Sequence, residues 1–174
     1  VSNGICSSWA QINISVDQMP QLFVSNDTAI CAGESVLLTA SGASGYSWNT
    51  GSTASFLFIS PLSQTSYTVI AANGNCFVTD SIEVFVNVIP IANAGTNSTI
   101  TPGSEIVLNA SGGGSYSWYP SAGLNCITCN DPMASPVIST TYYLLVIDSN
   151  GCTNLDSVII TVDDRCGEFY IPTA

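Results

Sequence analysis

Two cysteines separated by two residues, Cys126 and Cys129, have the spacing in this sequence that most suggests chemistry. Such a pair can bind zinc, exchange disulfides or form a small disulfide itself. Zinc takes about four ligands, and the sequence has no His and only Cys152 to add. A redox pair needs a helix N-terminus and a basic neighbour, and neither is visible. We therefore predict a Cys126–Cys129 disulfide that cross-links its loop, with zinc and redox chemistry as alternatives.

The other cysteines also suggest disulfides, which are typical of an oxidising, extracellular setting. Cys31 precedes a predicted strand and Cys76 follows an Asn-Gly turn. We predict that these two residues form a disulfide, worth at most about 4 kcal/mol in the chain-entropy model. The total of seven cysteines is odd, so at least one thiol has no partner in the sequence. The sequence assigns no partner to three of them: Cys6, Cys152 and Cys166.

The carboxylates are few and scattered, which argues against catalysis. Asp17 and the pair Asp163-Asp164 lie at predicted module ends, where calcium could bind, but one or two carboxylates are a thin ligand set. Without His or Lys, acid–base chemistry would depend on these carboxylates alone. We predict that the chain is not an enzyme and that it uses no metal or cofactor.

Charge and hydropathy exclude several classes of partner. Charged residues are 7% of the chain, the net charge is −11, and Arg165 is the single cation. A chain so poor in cations cannot neutralise phosphates, so we expect no nucleic-acid binding and no attraction to anionic membranes. No run of about 20 apolar residues is present, so we expect no membrane insertion. The sequence has no signal peptide and opens on Val1, which suggests a segment of a processed protein.

An internal repeat defines the architecture. The turn and strand at residues 73–86 recur at 150–162 and, in part, at 3–16, and residues 30–42 match residues 100–112. In both full modules a Tyr-Ser-Trp strand follows a Gly turn, and short β-branched runs alternate with Gly, Ser, Asn and Pro. The predicted fold class is all-β, with tandem immunoglobulin-like β-sandwiches.

The repeat also gives the predicted boundaries. Residues 1–17 match only the end of a module, so we predict the closing strand of a truncated preceding repeat. Residues 18–88 and 89–164 are the two immunoglobulin-like domains.

Aromatic residues at repeated positions are predicted to be core. Trp48 and Trp118 occupy the place where a sandwich buries a large aromatic, with a sugar-stacking platform as the alternative. Tyr67 and Tyr142 are likewise predicted to be core or corner residues. Apolar residues occupy both phases of residues 55–59 and 142–147, so some must lie on outer faces. We expect neighbouring modules, partner chains or glycans to cover those faces, with scattered exposed side chains as the alternative.

A family resemblance emerges from these motifs taken together. The order Cys-x-Gly-Glu-Ser-Val-x-Leu-x-Ala-Ser-Gly, Tyr-Ser-Trp, Ser-Pro, Thr-x-Tyr, Asn-Gly-Cys, Asp-Ser-Val resembles the immunoglobulin-like repeats of Bacteroidota cell-surface proteins. Residues 166–174 are similar to the opening of the gliding-motility-associated C-terminal domain, the sorting signal of the type IX secretion system. The resemblance implies that residues 165–174 begin a C-terminal sorting domain or linker. The second module departs from the pattern at Thr101, where the first has Cys31.

The resemblance implies a non-catalytic, extracellular segment of a large cell-surface adhesin or filament stalk. Its expected partners are neighbouring immunoglobulin-like repeats or identical chains. The alternative is a carbohydrate-binding module whose aromatic side chains bind a surface polysaccharide. The resemblance also implies O-glycans at Asp-Ser/Thr-apolar motifs, which occur at Thr28, Ser81 and Ser157. The alternative for each motif is an Asp that caps a turn before a strand.

Overall fold

The computed structural model of the chain describes Gly4, residues 9–14 and residues 16–163. Across these residues the chain forms thirteen β-strands and no α-helix. The chain divides into two compact units, residues 1–86 and residues 87–174. No helix among the described residues is long and apolar enough to span a membrane.

The first unit is a seven-stranded sandwich. Its strands are β1 (Phe23–Val24), β2 (Thr28–Cys31), β3 (Val36–Ser41), β4 (Gly45–Trp48), β5 (Phe56–Ile59), β6 (Thr65–Asn73) and β7 (Cys76–Asn87). One sheet has the order β1-β3-β5 and the other has the order β2-β7-β6-β4. Leu38 from the first sheet and Trp48, Val69 and Ile82 from the second belong to one buried cluster, so the core lies between the sheets.

The second unit repeats this plan with shorter strands in one sheet. Its strands are β8 (Ser98–Ile100), β9 (Ile106–Val107), β10 (Ser115–Tyr119), β11 (Met133–Ala134), β12 (Thr140–Ile147) and β13 (Thr153–Val162). The larger sheet has the order β10-β12-β13-β8, and β9 pairs with β11 in the smaller one. Leu108, Trp118, Leu144 and Val158 share one buried cluster. The predicted all-β, immunoglobulin-like class is confirmed.

The alternation of side chains explains why these segments are strands. Along β12, Tyr142, Leu144 and Val146 are buried, while Tyr143 between them is exposed. This period of two places one set of side chains in the core and leaves the other outside. Tyr142 lies opposite the buried Val158, so the β12–β13 hairpin presents a continuous apolar inner face.

Two structural features depend on glycine. Gly74 has a φ of 56° in the turn that joins β6 to β7, where Asn73 pairs with Cys76. Gly42 has a φ of 93°, and a Cβ there would overlap the backbone carbonyl of Gln21. Only glycine adopts such a conformation at no steric cost. The chain leading into β1 can therefore lie directly against the end of β3.

The predicted closing strand at the start of the chain is not formed in the residues that the structure describes there. Residues 9–14 and 16–22 belong to no strand, and the side chains of Ile12, Ile14 and Val16 are exposed. A strand needs a neighbouring backbone to satisfy its hydrogen bonds, and this stretch pairs with no strand of the first unit. The predicted C-terminal segment, 165–174, lies outside the described residues.

Candidate functional surfaces

The two repeated tryptophans lie in the cores of their units. Trp48 and Trp118 are each 3% exposed. The indole Nε1–H of Trp48 donates to the Ala54 carbonyl at 2.9 Å, and that of Trp118 donates to the Cys129 carbonyl at 2.9 Å. A buried ring with its one donor satisfied cannot stack on a sugar. The prediction that both are core residues is confirmed, and the alternative of a tryptophan platform is wrong.

The tyrosines predicted to be core are also buried. Tyr67 is buried in the first unit and Tyr142 in the second. The Tyr142 hydroxyl donates to the Ala122 carbonyl at 2.8 Å, so the phenol has a partner inside the protein. Desolvation raises the pKa of the Tyr142 phenol above its ordinary value of 10.

The Cys-x-x-Cys pair forms the predicted disulfide. Cys126 and Cys129 are bonded, with their Cα atoms 5.8 Å apart. The carbonyl of Cys129 accepts the hydrogen bond from Trp118, so the cross-linked loop supplies the partner of the core indole. The disulfide therefore acts structurally, since it fixes a loop that the core depends on.

The predicted Cys31–Cys76 disulfide is wrong. Cys76 is a free thiol, and Cys31 is bonded in a different disulfide. Asp27, which precedes β2, accepts a hydrogen bond from the Glu83 amide, seven positions beyond Cys76 along β7. At about 3.3 Å per residue those seven positions span about 23 Å. Four residues of β2 cannot return Cys31 to within the roughly 7 Å that a disulfide allows between Cα atoms.

The free thiol lies beside the segment that leads into the first unit. The Asp17 carboxylate accepts a hydrogen bond from the Asn75 amide at 3.0 Å. The Cys76 Sγ contacts the Asp17 carbonyl oxygen at 3.5 Å. Asp17 therefore caps the Asn-Gly turn. Calcium was an alternative for Asp17, and among the described residues no group of three acidic, His or Cys side chains is placed to hold a metal.

The aspartates of the three Asp-Ser/Thr motifs all accept backbone hydrogen bonds. Asp27 accepts from Glu83, Asp80 from Ser81, and Asp156 from Ala94. Two of these bonds join distant parts of the chain. Asp27 holds the start of β2 against β7, and Asp156 on β13 holds Ala94, which precedes β8. Asp27 directly precedes β2, as the capping alternative predicts, whereas Asp80 and Asp156 lie within β7 and β13, so neither caps a turn before a strand.

The hydroxyls that follow these aspartates differ in exposure. Ser81 and Ser157 are exposed on β7 and β13, next to the buried Ile82 and Val158. Thr28 is only partly exposed, because its phase along β2 is that of the buried Ile30. An enzyme that modifies hydroxyls could reach the two serines more easily than the threonine. Attachment of sugar at any of the three stays a prediction.

One shallow concavity contains two carboxylates. Asp27 and Asp80 line it together with Ser81 and the residues of β1. Both carboxylates already accept backbone amide hydrogen bonds, at 2.8 Å each. The residues that line the concavity include no His or Lys, so the two carboxylates are its only ionisable groups.

The first unit has an exposed apolar face on its three-stranded sheet. Leu37 lies opposite Phe58, and Thr39 lies opposite Phe56 across β3 and β5. Phe23 of β1 flanks the other side of β3. All four large apolar side chains are more than half exposed, which confirms the predicted outer apolar residues of 55–59. We call Phe23, Leu37, Phe56 and Phe58 the phenylalanine face.

The second unit has an exposed aromatic pair on its four-stranded sheet. Tyr119 and Tyr143 are direct cross-strand neighbours and are 73% and 50% exposed. Tyr143 also lies opposite Ser157, so the three side chains form one row across β10, β12 and β13. Leu155 on β13 is exposed on the same sheet. Two adjacent phenol rings are a surface on which a sugar ring could stack.

Comparisons with known proteins find similar folds among solved structures. No family model and no curated protein matches the chain. The chain is similar to the insect immune protein hemolin, with 15% identity over 83% of this chain and 46% of that one, at a TM-score of 0.43. It is similar to titin domains I67–I69, with 12% identity over 84% and 67% of the two chains, at 0.41. It is also similar to the two immunoglobulin domains of DIP-gamma, with 12% identity over 85% and 99%, at 0.38.

These likenesses concern the fold alone, and the assignment of class rests on the strand order of each unit. A Trp-bearing β4 or β10 lies beside the hairpin β6–β7 or β12–β13, and a second sheet packs over the Trp. That arrangement defines an immunoglobulin-like β-sandwich. The chain is a tandem pair of such sandwiches.

Proposed function

We propose that the chain is a non-catalytic, extracellular segment of a large bacterial cell-surface adhesin or filament stalk, in which the sandwich units serve as spacers and adhesive modules. The observation that carries this proposal is the burial of Trp48 and Trp118, which commits the repeated aromatic residues to the core of a tandem array. The two units share one plan, and such arrays suit stalks because each added unit lengthens the protein.

The chemistry of the chain supports a non-catalytic role. The sequence has no His or Lys, so a general base would have to be a carboxylate. The two carboxylates that share a concavity, Asp27 and Asp80, already accept backbone hydrogen bonds.

The proposed extracellular location draws on the disulfides and on the resemblance to surface repeats. Cys126–Cys129 is bonded, and Cys31 and Cys152 are also in disulfides, which persist in oxidising compartments. Export through the type IX system, a role in gliding motility and O-glycans at Thr28, Ser81 and Ser157 belong to the same proposal and rest on the motifs alone.

Labelling of intact cells of the native source tests the location. An antibody raised against the chain should label unpermeabilised cells, and external protease should remove the signal. Labelling that appears only after permeabilisation would contradict the proposal. Intact-mass analysis of the native protein should show hexose-sized increments, and a mass equal to that of the bare chain would exclude the glycans.

A carbohydrate-binding module is the second candidate, and the exposed Tyr119–Tyr143 pair favours it. If this pair binds sugar, a soluble polysaccharide should retard the chain in native gels and the double substitution Tyr119→Ala, Tyr143→Ala should abolish the retardation. Phe77→Ala is the matched control, since Phe77 is 68% exposed but lies in the first unit. Equal mobility with and without a panel of polysaccharides would remove this candidate.

A further inference from the structure

The phenylalanine face is peculiar to the first unit. Phe23 lies opposite Ser41, and the equivalent bridge in the second unit joins Asn93 to Ser111. The second unit thus has an amide side chain where the first has an aromatic ring. The shared sandwich plan therefore does not require an aromatic residue at this position.

The two units also differ at the position that Phe56 occupies on β5. The Ala40 amide donates to the carbonyl of the residue before Phe56, and the Ala110 amide donates to the carbonyl of the residue before Asp131. Phe56 and Asp131 therefore occupy equivalent positions. A charged residue on the second unit's face discourages apolar association there, while the first unit has an aromatic ring at the equivalent position.

Charge restricts what can cover the phenylalanine face. Its large side chains are apolar, and the polar residues between them, Thr39 and Ser41, are neutral. Two carboxylates, Asp27 and Asp80, lie beside Phe23 at one edge of the face, and both already accept backbone amide hydrogen bonds. An apolar, uncharged counterpart fits this face, and the chain itself presents one.

The exposed area is sufficient for a weak symmetric contact. Phe23, Phe56 and Phe58 are 59%, 55% and 67% exposed, and Leu37 is 51% exposed. With about 200 Å² for a fully exposed aromatic side chain, the face offers about 450 Å² per copy. Two faces with their neutral surroundings approach the roughly 1,000 Å² of a specific interface.

We propose that two copies of the chain associate through their phenylalanine faces, with the β1-β3-β5 sheets packed against each other across a two-fold axis. A two-fold contact uses the same patch on both copies, so it needs no second complementary surface. The contact joins neighbouring stalks sideways, which goes beyond the proposed role of a spacer.

Sedimentation equilibrium of the complete chain tests the contact. The parent protein carries Cys76→Ser, so that the free thiol cannot create a covalent dimer. We expect a monomer–dimer equilibrium at micromolar to submillimolar concentrations. The double variant Phe23→Asn, Phe56→Asp takes its new residues from the second unit's equivalent positions, and we expect its dimerisation to be at least tenfold weaker.

The control is Phe77→Asp, which adds the same charge at an equally exposed phenylalanine on the other sheet of the same unit. It should dimerise almost as the parent does, because its added charge lies outside the contact. A thermal unfolding curve confirms that each variant folds. A parent that stays monomeric, a double variant that still dimerises, or an equal loss in the Phe77→Asp variant would each overturn the proposal.

Salt dependence gives a second, independent readout. Two chains of net charge −11 repel each other, and salt screens that repulsion. Raising sodium chloride from 50 to 300 mM should therefore strengthen the dimer. A dimer that weakens with salt would be ionic and would contradict the apolar contact. If the sedimentation test or the salt test fails, the proposed spacer role still stands, because surface labelling tests that role separately.

Discussion

Replacing Tyr142 by Phe removes one hydroxyl from the core of the second unit. That hydroxyl donates to the Ala122 carbonyl at 2.8 Å, and the side chain is fully buried. Ala122 itself is exposed, so water can replace the hydroxyl at its carbonyl and the cost is that of the lost hydrogen bond. Such a loss costs about 1 kcal/mol of unfolding free energy, which corresponds to about 4–8 °C in the midpoint of a domain this size.

Tyr143→Phe is the matched control, since the next residue on the same strand is half exposed and points outward. Its substitution should change the unfolding free energy by less than about 0.5 kcal/mol. Differential scanning calorimetry of the complete chain measures both variants. Only the transition of the second unit should move with Tyr142→Phe. Equal effects of the two substitutions would refute the assignment of Tyr142 as a hydrogen-bonded core residue.

The stability difference between the parent protein and the Tyr142→Phe variant depends on pH through the pKa of Tyr142. Burial raises the pKa of the folded phenol above 10, so the folded state holds its proton more tightly than the unfolded state does. This stabilisation is fully present below pH 10 and is lost as the pH rises through the folded pKa. The stability gap between the parent protein and Tyr142→Phe should therefore shrink from pH 9 to pH 11. A gap that widens over this range would contradict the sign.

Further substitutions test the turns and the cysteines. Gly42→Ala should cost at least 2 kcal/mol more than Gly33→Ala in chemical denaturation, because both glycines have φ near 90° but only at Gly42 does a Cβ meet the backbone; equal costs would contradict the close approach. Replacing Cys126 and Cys129 by Ser should lower the stability of the second unit alone by about 1–2 kcal/mol, and a shift in the first unit's transition would count against this. Maleimide treatment of the unreduced chain should label Cys76, whereas a label on Cys126 or Cys129 would show that their disulfide is absent.

The sequence predicted the repeated elements because they alternate visibly. Trp48, Trp118 and Tyr142 stand in strands of period two, and the Asn-Gly turns mark the hairpins, so the core and the sandwich class followed directly. The Cys126–Cys129 disulfide could be predicted because the sequence offers too few further ligands for zinc. It also shows neither the helix N-terminus nor the basic neighbour that a redox pair needs. These inferences depend on local patterns, which a single sequence shows.

The predictions that failed depended on long-range register. Cys31 and Cys76 are each close to a strand end, but β2 pairs with β7 through a crossover that no local pattern reveals. In the second unit the equivalent strand β8 runs parallel to the end of β13, from Ser98 opposite Ile160. For the same reason, the sequence indicated only part of the phenylalanine face. Phe56 and Phe58 share a phase, but Phe23 joins them only through the pairing of β1 with β3.

Single-molecule force spectroscopy of the complete chain tests the central claim, that the chain consists of two separately folded sandwich units in tandem. The chain is held by its ends under reducing conditions, so that no disulfide shortens it. From Phe23 to Asn87 and from Ser98 to Val162 the strands of each unit span about 65 residues, and about 3.5 Å per residue gives a contour length of about 230 Å per unit. The ends of a folded unit are already some distance apart, so the gained length is roughly 200 Å. We predict two distinct unfolding events, each releasing about that length. One combined event, or extension without a force peak, would contradict the account.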